Sequence, residues 1–264
     1  MFVTIINDCR DENAQGRQVT RAAALFSAPV SFVGVSSDLE VAGNLVDILD
    51  AAEGKPGVVL VNVAPRSGIS RKWGNGSPFG YFRYQKTVVL ASIEGKTLSL
   101  VKKLGIVDAL TVLDVSSSVA LMRQKEILTS ATARQVTDTQ FRSFDFLPRA
   151  AQFLLTGANL PGRSVPISET VDPDPAIWWI DNFGNCKTTL LPADITADDR
   201  GMLKITIGML PFIPQLKDVP DGTTACVIGS SGIDAERFLE IVRQGGSAAE
   251  EHALSVGTVL FERS

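Results

Sequence analysis

Residues 177–190 of this 264-residue chain read IWWIDNFGNCKTTL, and they hold its densest group of side chains able to do chemistry. An apolar run, Ile177 to Ile180, delivers Asp181 into a tight Phe183-Gly184-Asn185 turn, with Thr188 and Thr189 beyond it. The turn displays a carboxylate and a carboxamide with an aromatic ring between them. A carboxylate accepts hydrogen bonds from an amine or a sugar diol, a carboxamide both donates to and accepts from a base edge, and a ring can lie against a flat base. The same residues also suit a β-hairpin whose Asp, Gly and Asn merely satisfy turn geometry, so both readings stand at this point. Asp8 closes the first apolar run and is placed to accept from both hydroxyls of a ribose, or alternatively to cap the helix expected near Asp11-Glu12-Asn13. Ser230 and Ser231 lie in a Gly-Ser-Ser-Gly stretch that offers hydroxyls to a ligand or forms a simple bend between a strand and a helix. Arg71 is the basic residue of interest in a long irregular loop, residues 64–80, which also carries Arg66, Trp73 and four glycines.

These residues need elements to hold them. In the first half, short β runs alternate with amphipathic patterns. Strands are expected at residues 2–6, 30–35, 58–63, 81–83 and 87–91, and helices at 18–26, 39–52 and 97–104. Residues 58–63 (VVLVNV) are apolar nearly throughout, as a central parallel strand covered on both faces should be. Such alternation argues for a layered α/β domain with ligands beyond the carboxyl ends of its strands, where Asp8 and the 64–80 loop fall. Residues 161–175 (PGRSVPISETVDPDP) have no apolar period and read as a connection. The expected division is an α/β domain at 1–165, a linker at 166–175 and a smaller β-rich domain at 176–264. Strands are expected in the latter at 177–180, 203–207, 225–228 and 258–261, with one helix at 235–243.

Composition removes several classes of function. A 45% hydrophobic chain of this length can fill a core, and a net charge of −4 without a long basic cluster makes nucleic acid a poor partner. Cys9, Cys186 and Cys226 are widely spaced with no CxxC pattern, which predicts reduced thiols rather than a disulfide framework or a metal site. The start, MFVTIINDCRDE, lacks a basic segment followed by an apolar core, and no apolar run reaches the roughly 18–20 residues of a bilayer span. No membrane association is expected, and a cytoplasmic location is. The one histidine, His252, lies in a polar helical run and is expected to be solvated.

Four segments, in order, resemble the S-adenosylmethionine (SAM) hydroxide adenosyltransferase family, which also contains fluorinating and chlorinating enzymes. That family has a strand ending Thr-Asp-Phe-Gly, a central Val-Asp-Pro-Gly-Val-Gly…Arg loop, an Ile-Asp-x-Phe-Gly-Asn turn and a C-terminal Gly-Ser-Ser-Gly…Leu-Glu-Ile segment. Here these correspond to the Asn7-Asp8 strand end, Val63-Ala64-Pro65…Gly68…Arg71, Ile180-Asp181…Asn185 and Gly229-Ser230-Ser231-Gly232…Leu239-Glu240-Ile241. The resemblance implies an α/β domain followed by a β-barrel-like domain, and a homotrimer holding an adenosyl ligand between subunits. It also implies that Asp8 binds the ribose diol, Asp181 the methionine ammonium, Asn185 the adenine edge, and Ser230 and Ser231 the amino-acid end, with Phe183 packed inside. No cofactor beyond SAM itself, and no metal, is implied.

Departures matter as much. Asn7, Cys9 and Arg10 replace the family's Thr, Phe and Gly, and Ala64 stands where the family has Asp. Phe141 stands where the hydrolytic members have His. Of three groups that position and deprotonate water, Arg71 alone is retained. The resemblance therefore implies either a protein that hydrolyses SAM to adenosine and methionine by displacement at ribose C5′, or a non-catalytic SAM or nucleoside binder that has lost the Asp and the His. Asp138, Asp145 and Glu94 are the carboxylates considered as a replacement base.

Overall fold

The computed structural model describes residues 1–63 and 78–261. The chain divides into two compact units, Met1–Val171 and Asp172–Ser264.

The first unit runs β1 (Phe2–Asn7), α1 (Glu12–Phe26), β2 (Val30–Gly34), α2 (Asp38–Ala51), β3 (Gly57–Asn62), β4 (Phe79–Tyr84), β5 (Thr87–Ser92), α3 (Ser99–Lys103), β6 (Ala109–Leu113), α4 (Val115–Gln124), α5 (Ser130–Asp138), α6 (Arg142–Asp145), α7 (Leu147–Leu154) and β7 (Gly162–Pro166). One seven-stranded sheet in the order β2-β1-β3-β5-β4-β6-β7 organises it. β2, β1, β3 and β5 are mutually parallel, and the remaining pairings are antiparallel. Helices cover β1 and β3, so Val58, Val59, Leu60 and Val61 are all buried, as the unbroken apolar run requires. On one face Val3, Ile5, Val58, Leu60, Val88 and Leu90 pack with Met122, Val136, Phe146, Leu147 and Leu154. α2 buries Val41, Leu45 and Leu49, each worth about 1.5–3 kcal/mol relative to exposure. Its start is fixed by Ser37, whose side chain accepts from the Glu40 N–H, and that of α1 by Asp11, which accepts from Ala14.

The second unit contains β8 (Ile177–Ile180), β9 (Cys186–Thr188), β10 (Met202–Ile205), β11 (Gly208–Pro211), β12 (Thr224–Ile233), β13 (Glu236–Arg243) and α8 (Ala248–Glu251). It has an antiparallel sheet in the order β12-β13-β9-β8 and a separate β10-β11 hairpin. Ile177, Cys186, Leu190, Leu203, Leu210, Leu239, Ile241 and Leu260 share its core.

The mixed α/β architecture with smaller antiparallel sheets follows the expectation, but several elements differ. The helix expected at 235–243 is strand β13. Phe238, Leu239, Glu240, Ile241 and Val242 are all buried, so the strand lacks the alternation that would distinguish it from a helix. Residues 258–261 contribute only an isolated bridge, Ala176 to Val259, rather than a strand. Within the stretch read as a connection, Gly162–Pro166 pairs along β6 and closes the sheet edge, and Ile167–Glu169 forms a 3-10 turn. The helix of which residues 18–26 were read as part starts at Glu12, where Asp11 caps it.

Candidate functional site

The turn after β8 is built by Asp181. Its Oδ1 accepts from the backbone N–H groups of Phe183 and Asn185, each at 2.9 Å, and its Oδ2 accepts from Asn185 Nδ2 at 3.0 Å. The Asp181 and Gly184 N–H groups close the turn onto the Asn185 and Asp181 carbonyls at 3.0 Å. Gly184 has φ +81°, and a Cβ there would collide with the Ser247 side chain, so glycine is required twice over. Ser247 caps α8, and the Ala249 N–H donates to the Gly184 carbonyl at 3.0 Å. The turn therefore rests on the first residues of that helix. Phe183 does not pack inside, contrary to expectation. At 70% exposure it stands at the tip of the turn, with its own backbone N–H tied back to Asp181 Oδ1.

Ser230 and Ser231 do not form a bend between a strand and a helix. They belong to β12, where the pairing with β13 shifts register between Ile228 and Gly232. Such a bulge lets consecutive side chains leave the usual alternation. Ser230 is exposed and its N–H donates to Glu240 Oε1 at 3.2 Å, while Ser231 is buried and its Oγ accepts from Lys187 Nζ at 2.6 Å. Gly232, at φ +132°, has no room for a Cβ against the Glu236 carbonyl. Lys187 also sits over the Trp178 ring, 5.5 Å from its centroid. Lys187 was not singled out from sequence; the available signal was a lone basic residue two positions after Asn185.

Burial, then the nearby carboxylates Asp181 and Glu240, push the Cys186 thiol up to about 12. Burial alone does the same for Cys226. Both are free and inert as thiols, whereas Cys9 is exposed.

In the first unit, Asp8 follows β1 at the carboxyl edge of the parallel strands. It is not the cap of α1, since Asp11 fills that position. Asn62 Nδ2 lies 3.4 Å from Asp8 Oδ1 and 3.3 Å from Asn7 Oδ1. Asn7 is buried and oriented by Gln18, whose Oε1 accepts from Asn7 Nδ2 at 2.7 Å. This amide group was missed in sequence because its members are far apart along the chain.

Among the replacement carboxylates, Asp145 is buried and committed: Arg21 lies 3.3 Å away and Thr139 Oγ1 donates at 2.8 Å. Asp138 is exposed at the end of α5. Glu94 follows the end of β5, on the same strand edge as Asp8. Phe141 is 71% exposed. Ala64, Pro65, Gly68 and Arg71 lie outside the described residues. His252 is not solvated as expected. It is half-buried at the end of α8, with Nε2 3.9 Å from Glu251, a carboxylate also held by Arg243 and Thr224. Among the described residues no group of three or more His, Cys, Asp and Glu is arranged to hold a metal ion, and no helix is long and apolar enough to cross a membrane.

Residues 175–260 match the family model of the SAM hydroxide adenosyltransferase C-terminal domain. These residues are similar to the C-terminal domain of that family. The match takes in both the Asp181 turn and the Ser230-Ser231 bulge. Two solved structures share the fold of the whole chain. An uncharacterized conserved protein from Thermotoga maritima has a TM-score of 0.65 at 17% identity, over 97% of each chain. A conserved hypothetical protein from Thermus thermophilus has a TM-score of 0.59 at 20% identity, over 98% of this chain and 99% of that one. No curated protein matches in sequence. A SAM hydroxide adenosyltransferase C-terminal domain associates the chain with SAM chemistry at the level of the family.

Proposed function

We propose that this protein binds SAM and cleaves it to adenosine and methionine. In this reading Asp8 holds the ribose diol, Asp181 the methionine ammonium, Asn185 the adenine edge, and Ser230 and Ser231 the amino-acid end. Phe183, left exposed at the turn tip, offers a face to the base. A water oxygen attacks C5′ as the C5′–S bond breaks. Both electrons of that bond go to sulfur, methionine leaves as a neutral thioether, and the attacking water loses a proton. The sulfonium is a good leaving group, so alignment and desolvation carry much of the barrier. Arg71 is assigned to positioning the nucleophile. Glu94 is the carboxylate best suited to take the proton, since it shares the strand edge with Asp8 while Asp145 is committed to Arg21. The ligand is shared between subunits of a homotrimer, which light scattering of the purified protein tests.

The observation that carries this reading is the family match over residues 175–260, which contains an Asp181-Asn185 turn held by its own hydrogen bonds. A second reading, a SAM or nucleoside binder without catalysis, is favoured by Ala64 and by Phe141 in place of the water-handling Asp and His. Incubating the protein with SAM and following adenosine and methionine by mass spectrometry separates the two. Adenosine in stoichiometric excess over protein establishes turnover; binding without product above a heat-killed control establishes the binder.

A further inference from the structure

Lys187 is the one charged residue of β9, flanked by buried Cys186 and Thr188. Sheet packing alone would be served as well by an apolar side chain there. Instead its ammonium donates to the buried Ser231 hydroxyl at 2.6 Å and lies over Trp178. In the β13-β9 register it stands opposite Glu240, which is also buried and accepts from the Ser230 N–H. Paired residues of an antiparallel ladder project to the same face, so Lys187 and Glu240 share one surface. Asn185 precedes Lys187 by two positions, at the end of the turn that leads into β9, and its carboxamide donates to Asp181. Lys187 thus follows the Asp181 turn in sequence, reaches the Ser230-Ser231 bulge through Ser231, and shares its sheet face with Glu240.

We infer that Lys187 is a specificity-determining residue that reads the carboxylate of the ligand's amino-acid end, so that the preferred ligand carries a zwitterionic tail and not only an adenosyl group. The inference rests on the SAM-binding reading above. An ammonium has three donors and no acceptor, so it can serve Ser231 and a ligand carboxylate at once. Asp181 and Glu240 are anionic and Lys187 is cationic, which mirrors a ligand bearing an ammonium, a sulfonium and one carboxylate. Opposing charges placed in register discriminate between ligands as well as attract them.

The test compares SAM with its decarboxylated analogue, which differs only in the carboxylate, by calorimetric titration of the full chain. The wild type is expected to prefer SAM by about 10- to 100-fold, the scale of one charge-assisted hydrogen bond. Lys187→Met should abolish that preference while leaving affinity for the decarboxylated analogue unchanged, and Lys187→Arg should retain part of it. If Lys187→Met does not fold by circular dichroism, Lys187→Gln, which removes the charge but keeps a polar side chain, should diminish the preference instead. A wild type that binds both ligands equally, or a folded Lys187→Met that still prefers SAM, overturns the inference and leaves SAM binding intact. Failure of both ligands to bind the wild type overturns the SAM-binding reading, and the inference with it.

Discussion

The two units hold their candidate residues by opposite means. In the C-terminal unit the groups assigned to the ligand also make the fold: Asp181 accepts three hydrogen bonds from its own turn, and Ser231 is buried under Lys187. In the N-terminal unit Asp8 sits just past the end of β1, at the edge of a sheet whose strength lies in Ile5, Ile6 and the buried run of β3. Altering the first group should therefore change stability and binding together, and altering the second should change binding alone.

The strongest challenge to this contrast is Asp181→Ala. It leaves the part-buried Asn185 N–H and carboxamide without their acceptor, and it should destabilise the C-terminal unit by about 2–4 kcal/mol, at roughly 1–3 kcal/mol per partly buried donor, in urea unfolding followed by tryptophan fluorescence. A loss under about 0.5 kcal/mol would mean the turn holds itself without the carboxylate. Gly184→Ala should cost about 1–3 kcal/mol, because a left-handed φ is imposed on alanine and its Cβ meets Ser247. Asp8→Asn should leave the midpoint of unfolding within about 0.5 kcal/mol of wild type, yet weaken adenosine binding about tenfold or more. A large stability loss there would erase the distinction between the units.

The smallest effect concerns the thiols. An aromatic disulfide reagent at about pH 8 should modify Cys9 rapidly and leave Cys186 and Cys226 unmodified in the folded protein. Their thiols are raised from 9.0 to about 12 on folding, so the unfolded chain releases these protons at lower pH than the native one. Stability of the C-terminal unit is then fully present below pH 9.0 and falls as pH rises from there toward about 12, which unfolding midpoints measured across that range will check.

Sequence alone served the two units unequally for the same reason. The Asp181 turn is local: its donors and acceptors lie within five residues, and residue type encodes them directly. Around Asp8 the deciding partners are Gln18 and Asn62, brought in by α1 and by β3 pairing, so no nearby pattern announced them. The parallel strands were legible from unbroken apolar runs. That same signature made β13 look helical, since burial on both faces hides the two-residue period. The short helices α4 to α7 escaped notice because each covers only a few turns and relies on its neighbours for its apolar face. Lys187 was visible only as an isolated charge, and its meaning came from a strand partner, Glu240, and from a bulge in β12.

The seat of the Gly184 turn on Ser247 and Ala249 has a consequence for how this chain can be cut or joined. α8 is four residues long and adds little core of its own, yet it braces the turn from the far end of the unit. A truncation after Arg243 would keep all four strands of the sheet and lose the shape of the loop they present. Residues 244–254 thus help to set the shape of a turn far from them in sequence, and fragments or fusions should be designed to keep them in place.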